Sequence, residues 1–481
     1  MIHPERLKVL NDKPLNKNGR YVLYWMQQSQ RTVDNHALEY AAGEAAALGV
    51  PLIVWFGISA FPDANVRHYH FMFQGLRDVA VDLARRNIQF IVEAADPGSG
   101  AAAAGSGAAL VVTDAGYLRI QREWRTRASE GLSCPLVQVE SDVIVPVESV
   151  SEKEEYAAAT IRKKIYRRAL EFLKPFYTQK EVLQPGRTEN GKIDIPSAGK
   201  GIKIKTFDDA AASLLLKELG VDASVEPVDW IRGGQIEARN RLGLFLKERL
   251  HLYDSLRNDP SREAQSDLSP FLHFGQISPL TICLRLLDHD AKSGRHPFSA
   301  AAAGVFRPEA LSPGVQAYIE ELVIRRELSA NFCRYNPFYD SLKALPSWAL
   351  ETLAVHEKDD RKYTYTVKDL EEAKTHDPYW NAAAKQMYRF GKMHGYMRMY
   401  WGKKIIEWSK DTETAFSTML YLNNKYFLDG RDINSFAGVA WCFGKHDRPW
   451  KEREIFGKIR YMNARGLERK FDIDKYVALF G

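Results

Sequence analysis

Five apolar runs of strand length, each set apart by a helical pattern, constrain this chain more than any other feature. They are YVLYWM (21–26), VPLIVWFGI (50–58), IQFIVEA (88–94), GAALVVTDA (107–115) and CPLVQVES (134–141). The second is almost uninterrupted, as a strand covered on both faces must be. Between them lie amphipathic stretches such as HYHFMFQGLRDVAVDLARRN (68–87), and one pattern is closed by Gly49. Strands alternating with helices predict a doubly wound parallel α/β sheet, with any ligand at the carboxyl ends of its strands. Residues 1–19 are polar and predict a loose tail.

Past Thr206 the strand-like runs nearly vanish and helical patterns take over. A chain of 481 residues exceeds what one core organises. We therefore expect an α/β domain over 20–175, a linker over 176–205 and an all-helical domain over 206–481. The linker is rich in Pro, Gly and Lys without a sustained period. Pro270 suits a first helical turn, and Ser278–Pro279 starts the next helix.

Hydrophobic residues make up 45% and charged residues 27% of the chain, ordinary values for a soluble globular protein. No apolar run is long enough to cross a bilayer, and the N-terminus lacks the apolar region of a secretory signal. The expected address is cytoplasmic, or nuclear in a eukaryote. Cys134, Cys283, Cys333 and Cys442 show neither metal-ligand spacing nor a disulfide framework, so no metal is expected. No GxGxxG follows the first strand, and ADPGSG (95–100) lacks the lysine of a phosphate-binding loop. A net charge of +6 permits a polyanionic partner without demanding one.

The stretch 374–450 is unusual. Trp380, Trp401, Trp408 and Trp441 sit among Met, Tyr, Asn, Arg and Asp. Seven residues separate Trp401 and Trp408, which puts them on one helix face, about 10 Å apart along the axis. Such a stretch is either an aromatic helical core or a pocket for a large planar cofactor with indoles in line. The sequence then ends on a basic segment interleaved with aromatics, KEREIFGKIRYMNARGLERKFD (451–472).

Several motifs occur together and in order: LSPFLHFGQ (268–276), GKMHGYMRMYW (391–401), LDGRD (428–432) and GKIRYM (457–462), with YWMQQSQRTVDN (24–35) and VTDAGYLR (112–119) before them. In these the chain resembles the photolyase/cryptochrome family, and within it the class II cyclobutane pyrimidine dimer photolyases. The resemblance spans nearly the whole chain. It implies an α/β antenna domain and an all-helical domain binding non-covalent FAD, reduced and anionic in its active state.

By that resemblance, Ser266, Asp267, Leu268 and Ser269 match the segment that holds the FAD diphosphate, with Tyr253 and Gln276 lining the same cofactor. Arg398 and Asp429 match an ion pair beside the isoalloxazine, where a fixed cation favours an anionic ring. Asp432 and Asn434 match further polar contacts. Asn423 matches the class II asparagine near flavin N5; class I uses the position held here by Ser435. Trp401, Trp380 and Trp408 match an electron-transfer chain, with Trp408 expected at the surface.

The implied partner is double-stranded DNA carrying pyrimidine dimers, bound by a monomer. Photolyases reach their lesion by flipping it out of the duplex. Glu321 matches the acid that hydrogen-bonds the lesion. Met399 and Trp441 match walls against it. Arg257, Arg448, Trp450 and Arg460 match residues that contact the DNA backbone or fill the gap. Arg325 stands where some relatives carry a tryptophan beside the lesion. An antenna chromophore is expected to be 8-hydroxy-deazaflavin, with a folate, another flavin or none as alternatives. The competing functions are a cryptochrome-like photoreceptor, a (6-4) photolyase, which needs an active-site histidine arrangement that His394 in its shared family motif does not establish, and a flavin-free nucleic-acid-binding module, which a yellow protein would exclude.

Overall fold

A computed structural model describes residues 2–176, 193–295 and 305–481. The five expected strands form and pair in parallel. They are β2 (Tyr21–Trp25), β3 (Leu52–Ile58), β4 (Gln89–Ala94), β5 (Ala108–Asp114) and β6 (Leu136–Val139), joined by β1 (Leu7–Val9) and β7 (Lys200–Gly201) in the order β1-β6-β5-β2-β3-β4-β7. Residues of β2 and β5 are all buried, as strands covered on both faces should be. The expected helix closed by Gly49 is His36–Leu48. It is capped by Asn35, whose side chain accepts from Leu38 N, and Gly49 adopts φ 65.

Both edges of the sheet correct the sequence reading. β1 lies in the segment expected to be a loose tail, and it pairs antiparallel with β6. Beside it the buried Arg6 donates to the carbonyls of Glu140, Val143 and Ile144. A three-residue strand carries no readable period, and its anchor is a polar residue that hydropathy counts as surface. β7 falls in the expected linker and pairs antiparallel with β4. Linker residues 177–192 lie outside the described residues.

The helical region is built from Gln235–Leu244, Leu250–Leu256, Pro279–Ala291, Pro313–Ile319, Arg326–Tyr335, Ser347–Val355, Pro378–Phe390, Gly395–Trp408, Thr412–Tyr426 and Ile433–Cys442, with further short elements. Two π-helical turns, Phe245–Arg249 and Glu320–Arg325, interrupt otherwise continuous helices. Such turns often mark functional sites.

The helix Val66–Arg85 joins the two layers. Phe71 packs on Phe271 and Phe274 with ring centroids 5.3 and 5.4 Å away. Arg67 donates to the carbonyls of Tyr388 (2.6 Å) and Tyr426 (2.8 Å), at the carboxyl ends of Pro378–Phe390 and Thr412–Tyr426. Helix ends leave such carbonyls without partners, so one buried guanidinium fixes two helix termini against the sheet. Among the described residues no helix is long and apolar enough to cross a membrane.

Candidate functional site

The helix Gly395–Trp408 carries the densest set of expected site residues. Its N-cap is His394, whose Nδ1 accepts from Tyr396 N at 3.2 Å. Burial holds this imidazole down to about 4, which keeps it neutral and able to accept. One turn on, the Arg398 guanidinium donates to Asp429 Oδ1 at 3.0 Å and lies 3.8 Å over the Phe427 ring. Trp401 meets the same ring edge-on at 6.3 Å. Ser435 Oγ donates to Asp429 O, holding the turn that presents the carboxylate. Asn423 is buried at the end of Thr412–Tyr426.

Trp401 is 1% exposed, yet its Nε1 has no hydrogen-bond partner among the described residues. A buried N–H left unmade is costly, so this donor points to a ligand with an acceptor. A heteroaromatic ligand with an acceptor atom at its edge fits that requirement.

A second wall comes from the segment before Ser269–His273. Ser266 Oγ accepts from Tyr318 OH at 2.8 Å and from Leu268 N at 3.4 Å. Asp267 sits at φ 57 and takes Lys392 at 2.7 Å and Arg249 at 3.1 Å. Gln265 lies 3.2 Å from His394 Nε2, which ties this segment to the start of Gly395–Trp408. Ser269 is exposed at the first position of its short helix. Tyr253 is buried edge-on against Phe245 and Tyr318.

Of the remaining expected cofactor residues, two bond within the protein and one is exposed. Gln276 is buried and bonded to Gly234 N and Phe71 O. Asp432 caps Ile433–Cys442 through Asn434 N and faces His273 at 3.3 Å. The Asn434 side chain is exposed.

Glu321 occupies the π-helical turn Glu320–Arg325 and opens toward solvent. The surrounding walls still shield its carboxyl and push it above the usual carboxylate range, against the opposing pull of Arg325 and Arg257. Arg325 donates to Glu320 at 3.1 Å, and Arg257 pairs with Asp254 at 3.1 Å.

The indoles are continuous. Trp380 lies 6.4 Å from Trp401 and 5.6 Å from Trp408 between ring centroids. Trp408 was expected at the surface, but it is only 2% exposed. Tyr365 and His376 each cover it at 5.3 Å. Their positions come from a separate loop, which the helical spacing of the tryptophans could not show.

Beyond the helix, Arg460 stacks on both Trp441 (5.6 Å) and Trp450 (5.1 Å), and Arg448 lies 5.4 Å over Trp450. Trp450 is 40% exposed, and its Nε1 donates to Asp447. Beneath Trp441 the buried Lys403 donates to Cys442 O, and burial lowers its ammonium to about 8. Met399 is partly buried on the adjoining face.

A cleft opens at the carboxyl ends of β2 and β3, lined by Met26, Gln27, Gln30, Phe61, Tyr69 and Trp124 and reaching His273 and Asp432. Gln27 Nε2 and Gln30 Oε1 are buried there without partners among the described residues. Phe427, Tyr318, Lys392 and Asn424 went unmarked in the sequence reading. Only Asn424 carried a local signal, the Asn-Asn pair beside Asn423.

Three comparisons with known proteins bear on this geometry. Residues 22–182 match the family model described as DNA photolyase. The chain is 48% identical to a deoxyribodipyrimidine photo-lyase of Methanothermobacter thermautotrophicus, over 99% of this chain and 98% of that protein. It is 40% identical to one of rice, Oryza sativa, over 96% of this chain and 88% of that protein. It is 37% identical to one of Potorous tridactylus, over 98% and 84%. Among solved structures it resembles a class III photolyase of Agrobacterium tumefaciens, with TM-score 0.67 and 17% identity, over 96% of this chain and 86% of that one. It also resembles a cryptochrome of Synechocystis, with TM-score 0.67 and 13% identity, over 96% and 88%. At such identities the structures establish the fold alone.

Proposed function

The chain belongs to the DNA photolyase family, and from that premise we propose that it is a deoxyribodipyrimidine photo-lyase, a light-driven enzyme that splits cyclobutane pyrimidine dimers in DNA. The family implies a flavin chromophore. We take it to be FAD, which when bound, reduced and excited supplies one electron to the lesion and recovers it after the ring opens. The observation that carries this reading is the buried, orphaned N–H of Trp401, whose ring shares the Phe427 neighbour with the Arg398 guanidinium paired to Asp429.

The protein's own groups divide the work. Arg398, oriented by Asp429, supplies a fixed positive charge beside the ring and so favours its anionic form. Ser266 and its neighbours, with Lys392 and Arg249 close by, make a polar cradle suited to the diphosphate. Asn423 offers its carboxamide to the ring edge. Trp401, Trp380 and Trp408 form a relay by which an oxidised flavin is reduced in light. Glu321, with its carboxyl held above the ordinary range, stays protonated to higher pH and can donate to a lesion carbonyl. Met399 and Trp441 wall the lesion. Arg257, Arg448, Trp450 and Arg460 meet the duplex, the cations through phosphates and the indole by stacking. Arg325, already held by Glu320, takes the place of a stacking tryptophan.

The cleft at the ends of β2 and β3 is our antenna site. Its orphaned Gln27 and Gln30 amide groups require a ligand with both donors and acceptors at its edge, and its Phe61, Tyr69 and Trp124 favour a flat ring. An 8-hydroxy-deazaflavin meets both conditions. Purification should give a yellow protein. Its reduced form, illuminated with a dimer-containing oligonucleotide, should restore the pyrimidines; a colourless protein, or one inert in light, would refute the assignment.

A further inference from the structure

The turn that carries Asn423 is held from the α/β layer. Asn65 Nδ2 donates to Lys425 O at 2.6 Å, and His68 Nδ1 accepts from Asn65 N while its Nε2 faces Phe427 O at 3.0 Å. Within this corner lies a relay of two amides. Asn423 Nδ2 donates to Asn424 Oδ1 at 3.1 Å. The same oxygen accepts from Arg431 N at 3.1 Å, and Asn424 Nδ2 donates to Asp63 Oδ2 at 3.2 Å.

The chemistry of the partners fixes every amide in this relay. A backbone N–H only donates, so the Asn424 atom it meets must be the oxygen. A carboxylate only accepts, so the Asn424 atom facing Asp63 must be the nitrogen. Both ends agree. The Asn423 atom that meets Asn424 Oδ1 must then be its nitrogen, which leaves Asn423 Oδ1 as the end of the carboxamide turned away from Asn424.

We propose that Asn424 is a positioning residue that locks the Asn423 carboxamide with its carbonyl oxygen toward the flavin, and that Asp63 of the α/β layer fixes Asn424 in turn. The inference rests on the reading that places Asn423 beside the ring. Its consequence is that the ring meets an acceptor rather than a donor there, which favours the ring carrying a proton at the facing nitrogen. The α/β layer thereby sets the redox behaviour of a cofactor held by the helical region.

The test is the midpoint potential of the bound flavin, measured spectroelectrochemically on the full-length holoprotein, with thermal melting as the check on folding. Asn423→Leu should shift the potential. Asn424→Leu should shift it in the same direction, because the freed carboxamide can turn its nitrogen to the ring. Asp63→Gly should do so as well; Asp63 is exposed and sits at φ 59, a conformation glycine accepts without strain. Asp63→Asn keeps an acceptor and should restore the native potential. If Asn423→Leu shifts the potential but folded Asn424→Leu and Asp63→Gly do not, the positioning role is overturned. If Asn423→Leu itself changes nothing, the placement of Asn423 beside the ring fails instead. Should Asn424→Leu not fold, Asp63→Gly against Asp63→Asn still decides the case.

Discussion

The indole N–H of Trp380 donates to the backbone carbonyl of Trp401 at 3.1 Å, while the two rings lie 13° from parallel. This bond fixes the Trp380 ring against the helix that carries Trp401, so the spacing does not depend on packing alone. Trp401→Phe should block photoreduction of oxidised flavin and leave repair by chemically reduced enzyme largely intact. Transient absorption checks it; normal photoreduction in that variant would remove Trp401 from the path.

The carboxyl of Glu321 is raised by its shielded surroundings, so it is protonated at low pH and loses its donor as pH rises through its folded value. Glu321→Ala should lower repair yield per photon more than DNA affinity. Glu321→Gln, a neutral donor at every pH, should retain more yield and lose the decline that the native enzyme shows as pH rises. Yields measured across pH decide this, and an unchanged yield in Glu321→Ala would sink the role.

Arg448 and Arg460 both lie over the ring of Trp450, whose indole is 40% exposed. If that ring supports bases orphaned by flipping, Trp450→Ala should weaken binding to lesion-containing duplex by roughly 1–3 kcal/mol. Single strands carrying the same lesion should lose less. Filter binding at one salt concentration compares them. Equal losses would mean that Trp450 only packs against its arginines.

His394 gives a pH prediction for stability. Its folded value of about 4 lies below the ordinary 6.5, so the unfolded chain binds more protons between those two values. Its contribution is present above pH 6.5 and is lost as pH falls toward 4, on the order of 3 kcal/mol. Protonation also removes the acceptor that caps Gly395–Trp408. Acid should therefore release flavin in the same window, and His394→Asn, which keeps a capping oxygen, should flatten the profile. Flavin fluorescence against pH follows it.

The parallel strands were legible because each falls in a nearly continuous apolar run. β1 and β7 were not, since two or three residues at a sheet edge carry no period. The residues of the site were named by their motifs, but not their company. Nothing local says that Asp267 gathers Lys392 and Arg249, that Gln276 turns away to Gly234, or that Tyr365 and His376 cover Trp408. Those contacts join segments far apart in the chain and follow from the tertiary packing.

The central claim is that this protein uses light to reverse cyclobutane dimers. The direct measurement is the ultraviolet absorbance of a dimer-containing oligonucleotide mixed with the reduced protein, followed in the dark and under near-ultraviolet or blue light. Recovery of pyrimidine absorbance only in light, with many dimers repaired per protein and no net oxidation of the flavin, is the predicted result. Bound dimers that stay intact under illumination, with the flavin reduced throughout, would contradict it.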